Sequence, residues 1–254
     1  MDFNPHVKLL IVVPAFNESG NIQKTLADIL ALGPAVSILV VDDGSQDQTA
    51  HEARSLVEQE GARGRVFVTS LPFNLGIGGA VQTGFRYCLL KGFDMMVQVD
   101  GDGQHDVSYI GKLTQPIIDN RADMVVGSRF LPPHLGYRSS LVRRLGINFF
   151  AHLISLLTGF KVSDPTSGFR AYNAKMIRLF ARYYPHDFPE PEAIMVARRF
   201  GGRLVEVAVE MRKRQGGYSS IRYLRTLYYM IKVTCAVLLD MLKKNEAPEK
   251  EGGE

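Results

Sequence analysis

The sequence predicts an α/β protein, a doubly wound and mostly parallel sheet with helices on both faces. Apolar runs of strand length alternate with stretches of helical periodicity five times in about the first 130 residues. Four of these runs end in polar, glycine-rich or acidic loops. In a parallel sheet such ends lie together on one edge, where ligands bind. The composition, 46% hydrophobic and 22% charged over 254 residues, is globular and allows one large domain or two small ones.

Val7 to Val13 is the first buried strand, followed by the polar loop Pro14 to Asn21. Ile22, Leu26, Ile29 and Leu30 set a helix from Ile22 to Leu32. Ile38 to Val41 is the next strand, ending in Asp42-Asp43-Gly44-Ser45, and Thr49 to Gly61 reads as a helix. Val66 to Ser70 is a third strand. Asn74-Leu75-Gly76-Ile77-Gly78-Gly79-Ala80 opens a helix to about Leu90. Its glycines fit close helix packing slightly better than phosphate binding, because neither G-x-G-x-x-G nor a following Lys-Ser/Thr is present. Met95 to Val99 is the fourth strand, Val107 to Asp119 a helix, and Met124 to Gly127 the fifth strand, ending in Ser128-Arg129. Ser139 to Thr158 is helical, and Leu145 to Phe160 carries no Lys, Arg, Asp or Glu. That stretch is short of the ~20 apolar residues of a membrane span. With Arg138, Arg143, Arg144 and Lys161 around it, core packing and a place in the membrane interface fit equally. Asp164 to Tyr172 runs from a loop into a short strand, and Lys175 to Tyr184 is helical. His186 to Glu192 is an acidic loop leading into a helix from Glu192 to Phe200, and Leu204 to Met211 is a strand with one face buried. Residues 1–221 form one domain on this reading. Arg222 to Lys244 is an amphipathic helix suited to docking on the domain, to a dimer or membrane-protein contact, or to a membrane surface. Residues 245–254 read as a disordered tail.

The chemistry is expected at Val97-Gln98-Val99-Asp100-Gly101-Asp102-Gly103-Gln104-His105. Two carboxylates one residue apart, with the Gln104 amide, are hard oxygen ligands. They suit Mg²⁺ or Mn²⁺, ions that complete their shell with water and substrate phosphates. Taken alone the stretch is equally a polar Asp-Gly turn. The topology adds weight, because Asn17, Asp42, Asp43, Asp100, Asp102 and Arg129 should converge on one sheet edge. Charge is split along the chain. Residues 1–128 hold 9 basic and 15 acidic side chains, net −6, whereas residues 129–254 hold 21 and 11, net +10. The second half is therefore expected to face something anionic, although a solvated basic surface also fits. Cys88 and Cys235 form no metal-type pair, and the apolar run from Leu9 to Pro14 is too short for a signal peptide. A reduced, cytoplasmic setting is the simplest expectation.

In order along the chain, Val13-Pro14-Ala15-Phe16-Asn17-Glu18, Val41-Asp42-Asp43-Gly44-Ser45, Asn74 to Ala80, Asp100-Gly101-Asp102-Gly103-Gln104-His105, Gly127-Ser128-Arg129, and Asp164 with Ser167-Gly168-Phe169-Arg170 resemble the motifs of family 2 glycosyltransferases. The chain is most similar to those of the polyprenyl-phosphate type, such as dolichol-phosphate mannosyltransferase, from about Leu10 to Ser220. The resemblance implies the GT-A fold and inverting transfer from a UDP- or GDP-sugar to a polyprenyl phosphate, undecaprenyl or dolichyl, by a protein peripheral on the inner face of the membrane. It implies that Pro14, Ala15, Asn17, Glu18, Asp42 and Asp43 hold the nucleotide, with Gly78 and Gly101 beside it. Asp100, Asp102 and Gln104 would bind the metal under the diphosphate. Arg129, Arg143 or Arg144, and Arg170, Arg214 and Ser219 would face phosphates of donor or acceptor.

The sequence departs from the family at Asp106-Val107-Ser108, where Pro-Pro-Glu is usual, and at Ser220, where the R-x-x-G-x-S-K loop ends in Lys. A hydroxyl acceptor would need a general base, for which Asp187, Glu190 and Glu192 are the candidates. A lipid phosphate, with a second pKa of about 6, would need none. Transfer to a sugar hydroxyl and a non-catalytic nucleotide-sugar-binding subunit are the alternatives. A nucleotidyltransferase would carry a basic glycine-rich loop after the first strand, and Pro14 to Gly20 has none. No nucleic-acid partner is expected, since no aromatic strand platform appears.

Overall fold

The computed structural model describes residues 7–59, 61–132 and 141–212, with residues 232 and 234. The elements run β1 (Leu9–Ala15), α1 (Ile22–Leu30), β2 (Val36–Asp42), α2 (Thr49–Val57), β3 (Val66–Ser70), α3 (Gly76–Lys91), β4 (Met95–Gln98), α4 (Ile110–Ile118), β5 (Met124–Ser128), α5 (Leu141–Thr158), β6 (Arg170–Asn173), α6 (Ala174–Arg182), α7 (Pro189–Arg199) and β7 (Leu204–Ala208). The strands form one seven-stranded sheet in the order β3-β2-β1-β4-β6-β5-β7. Every neighbouring pair is parallel except those of β6, which runs antiparallel between β4 and β5.

Alternation along the strands divides the core in two. Leu10 and Val12 of β1 face a cluster under α3, α5, α6 and α7, which holds Phe85, Phe150, Tyr172 and Phe180. Leu9, Ile11 and Val13 face the other side, with Ile22, Leu26, Ile29 and Leu113 of α1 and α4. All seven residues of β1 are buried, as expected for a central parallel strand covered on both faces. Burying each large aliphatic side chain there stabilises the sheet by roughly 1.5–3 kcal/mol.

Several expected boundaries move. α7 begins at Pro189 rather than Glu192, because proline has the helical φ and needs no N–H partner at a first helical position. Glu190 and Glu192 therefore lie in its first turn, where carboxylates meet the positive end of the helix dipole, and not in a loop. β7 ends at Ala208. Met211 instead forms an isolated antiparallel bridge with His105. α5 settles part of its choice: Ile147, Phe150, Ala151 and Ile154 are buried in the core, while Phe149 (46% exposed) and Leu156 (82% exposed) face outward. No helix among the described residues is long and apolar enough to cross a membrane. Of the expected helix over 222–244 only Lys232 and Thr234 are described, both in helical conformation, and the rest of it and the tail lie outside the described residues.

Candidate active site

The parallel strands β1, β2, β4 and β5 end on one edge, and register brings their loops together. Ala15 pairs with Asp42, Gln98 with Val12, and the Gly101 N–H donates to the Pro14 carbonyl. The loop after β1 is laced to the loop after β2. Ser45 Oγ accepts from the Asn17 N–H, Asn17 Oδ1 accepts from the Gln46 N–H, and Thr49 Oγ1 accepts from the Glu18 N–H. Asn17 holds a left-handed φ of 54°, which asparagine tolerates better than most residues. Asp42 and Asp43 are buried. Asp42 Oδ1 accepts from the Ser45 N–H, and Asp43 Oδ1 from the Leu75 N–H at the start of α3. Burial pushes the Asp43 carboxyl above its ordinary range, against the pull of the Leu75 and Gly76 amides.

The Asp100–His105 loop is held from three sides. His105, buried and stacked on Phe169 with centroids 4.7 Å apart, accepts the Asp100 N–H on Nδ1 at 3.0 Å, and its Nε2 lies 3.6 Å from Asp100 Oδ2. Asp102 Oδ1 accepts from the Gln104 N–H. The Gln104 carbonyl accepts from the Arg212 N–H, and the Arg212 guanidinium bridges Asp28 and Asp106. Gly168 closes the remaining side. A Cβ there would lie 3.1 Å from Asp100 Oδ2 and from Gln98 Nε2, so the turn packs closely against the carboxylate, and a larger residue would push it by a few tenths of an ångström. Asp100 and Asp102 stay partly exposed. Among the described residues no group of three or more His, Cys, Asp or Glu side chains could enclose a metal. Two carboxylates and an amide oxygen fit an ion of the Mg²⁺ or Mn²⁺ kind, which takes one or two carboxylates and leaves the rest of its shell to phosphate and water.

Other expected site residues meet different arrangements. Arg129 was expected to face phosphate. It is buried instead, its Nε and Nη2 donating to the wholly buried Asp164 at 2.6 and 2.7 Å and Nη2 also to Thr166. Asp164, read only as a motif member, engages Nε and Nη2 of that guanidinium. Arg170 is also wholly buried, donating to the Ser167 and Pro165 carbonyls, and so braces the turn over Asp100 from beneath. Gly78 has a packing role, since a Cβ there would lie 2.6 Å from the His186 carbonyl oxygen and 2.7 Å from that of Pro185. Gly101 packs against Ala15 and the Pro14 carbonyl. Arg144 is exposed on α5, and the Arg143 side chain, Arg214 and Ser219 lie outside the described residues.

The three candidate bases separate. Asp187 is exposed, whereas Glu190 and Glu192 are largely covered in the first turn of α7. Burial pushes the Glu190 carboxyl upward. The Arg170 cation pulls it down, Asp100 adds to the rise and Arg129 opposes it, so Glu190 shares the field of Asp100 and the buried arginines. Sequence reasoning missed Glu206 of β7. It sits between Val205 and Val207, where alternation suggests a solvent-facing position, yet it accepts from the Ser163 N–H, the Ser163 hydroxyl and the Asp164 N–H.

A family model for Glycosyl transferase family 2 matches residues 10–180. The undecaprenyl-phosphate mannosyltransferase of Micrococcus luteus is 29% identical over 85% of this chain and 88% of its own length. The polyprenol monophosphomannose synthase of Mycolicibacterium smegmatis is 33% identical over 68% of this chain and 64% of its own. Among solved structures, glucosyl-3-phosphoglycerate synthase from Mycobacterium tuberculosis, in complex with Mn²⁺, UDP and glucosyl-3-phosphoglycerate, has a TM-score of 0.68 at 20% identity. The match covers 92% of this chain and 79% of that one, a likeness of fold, and the fold is GT-A. With the family model spanning well over half of the residues, the chain belongs to glycosyl transferase family 2 and is a glycosyltransferase.

Proposed function

We propose that the chain transfers a sugar, with inversion, from a UDP- or GDP-sugar to a polyprenyl phosphate at the cytoplasmic face of a membrane, with Mg²⁺ or Mn²⁺. The observation that carries this reading is the pair of partly exposed carboxylates, Asp100 and Asp102, fixed at the sheet edge beside the loops of Asn17 and Asp42. The relatives named for polyprenyl-phosphate acceptors favour the lipid phosphate.

Asp100, Asp102 and Gln104 would hold the metal, which when bound neutralises charge building on the departing nucleoside diphosphate. The laced loops of Asn17, Glu18, Asp42 and Ser45 form the wall that receives base and ribose. Arg129 and Arg170, engaged with Asp164 and with backbone carbonyls, keep the Asp164–Gly168 turn against Asp100 and contribute positive potential from beneath. A lipid phosphate brings its own ionised oxygen to the anomeric carbon, so no side chain has to remove a proton. A hydroxyl acceptor requires one that does, and Glu190 is then the first candidate, because it shares the field of Asp100. α5 supports the membrane location: Phe149 and Leu156 face outward, with exposed Arg144 and Lys161 near them.

The test offers labelled donors to polyprenyl phosphate and to the corresponding polyprenol, with wild-type chain and Glu190→Gln. The expected result is label on the phosphate only, with Glu190→Gln losing less than tenfold. Label on an alcohol acceptor, abolished by Glu190→Gln, would move the acceptor to a hydroxyl.

A further inference from the structure

We propose that Glu206 is a positioning residue: from the edge strand β7 it holds the Ser163–Gly168 turn in place, and through that turn the carboxylate of Asp100. The inference rests on the reading that Asp100 holds a metal.

The contacts form a continuous path. Glu206 is fixed by backbone pairing of β7 with β5, in register with Val126. Oε2 accepts the Ser163 N–H at 2.8 Å and the Ser163 hydroxyl at 2.6 Å, and Oε1 accepts the Asp164 N–H at 2.9 Å. Two successive amides are thus gripped by one carboxylate, a geometry with strong directional preference. The Ser163 hydroxyl also lies 2.7 Å from the Ser128 hydroxyl at the end of β5. Asp164, set by that grip, takes the Arg129 side chain through two bonds and the Arg129 N–H at 3.1 Å. The turn then passes Thr166 and reaches Gly168, where even a methyl group would lie 3.1 Å from Asp100 Oδ2. A turn that fits this closely transmits a displacement of its anchored end to the carboxylate. Direct hydrogen-bond partners of metal ligands typically change metal affinity about 10–100-fold when removed, and Glu206, one step further out, is expected to have a smaller effect.

An acceptor-only group is required, because all three partners are donors. Glu206→Gln presents an NH₂ to one of them and breaks the grip at nearly constant volume. Ser163→Ala removes only the hydroxyl bonds and serves as the milder variant. In metal-free protein, amide exchange at residues 163–168 is expected to quicken at least tenfold in Glu206→Gln and less in Ser163→Ala. Exchange in β1 to β3 should not change. In transfer assays the Mn²⁺ concentration for half-maximal rate should rise at least fivefold. Combining Glu206→Gln with Gly168→Ala should add little to either alone, since both act on Asp100 through one turn. Unchanged exchange at 163–168, quickening spread across the sheet, or losses that multiply in the double variant would overturn the proposal. Absence of transfer in the wild-type chain would instead count against the functional reading, and the exchange data would still decide the role of Glu206.

Discussion

At the scale of single residues, what a side chain does here is set by who else claims its polar atoms. Arg129 has the charge and the sheet-edge position expected of a phosphate ligand, but the buried carboxylate of Asp164 already occupies its fork. Such a pair is worth little against a hydrophobic substitute, yet breaking one side leaves an uncompensated buried charge. Gly78 is the simplest case to test. Its missing Cβ admits the Pro185 and His186 carbonyls to the surface of α3, so Gly78→Ala is expected to cost about 1–3 kcal/mol in urea unfolding. A stability unchanged within error would mean that the contact yields freely. The sequence made the packing role of these glycines readable through the lack of a phosphate-loop pattern. It hid the roles of Asp164 and Glu206, because a loop aspartate and an alternating strand glutamate carry no local mark of partners that lie 35 and 43 positions away.

At the scale of elements, periodicity was informative and pairing direction was not. The strand–helix alternation through β5 is visible as apolar runs and helical spacing. The insertion of β6, antiparallel between β4 and β5, is a tertiary fact about four residues, Arg170 to Asn173, that any short strand could satisfy. This insertion matters for the site, because it brings the Ser167–Gly168 approach alongside Asp100. The start of α7 lies three residues before the expected Glu192 for a local reason: Pro189, which reads as part of a loop, opens the helix. α5 shows how one element meets two demands: its core face is closed by Phe150 and Ile154, and its outer face displays Phe149 and Leu156. Replacing both outer residues by serine is expected to weaken sedimentation with anionic vesicles severalfold while leaving thermal stability within a few degrees. Unchanged vesicle binding would remove α5 from the membrane account.

At the scale of the whole molecule, the two ends of the sheet differ in what is gathered there. At the end away from the site, Asp123 joins the starts of β5 and β7 to the end of β6. It accepts from the Arg203 backbone and side chain and from Asn173, with Lys175 3.7 Å away. Burial opposes ionisation of Asp123, but these donors and charges outweigh it and bring the carboxyl down to about 2. Because the folded value lies below the ordinary 3.8, the stabilisation is present in full above that pH and fades as pH falls toward 2. It is worth roughly 2 kcal/mol, so Asp123→Asn should lower stability by about that amount at pH 7 and by much less near pH 2. Equal losses at both pH values, in denaturant titrations, would place the effect elsewhere. At the other end, the carboxylates at the strand ends, the tight turn of Gly168 and the buried arginines gather on one sheet edge, where the proposed function places the transfer. The most direct test is transfer of labelled sugar from UDP- and GDP-sugars to polyprenyl phosphate with Mn²⁺ or Mg²⁺, with EDTA, and with Asp102→Ala. The account predicts label in the lipid phase with metal, none with EDTA, and at least a hundredfold loss in a folded Asp102→Ala. Lipid product formed equally well in EDTA or by Asp102→Ala would contradict it.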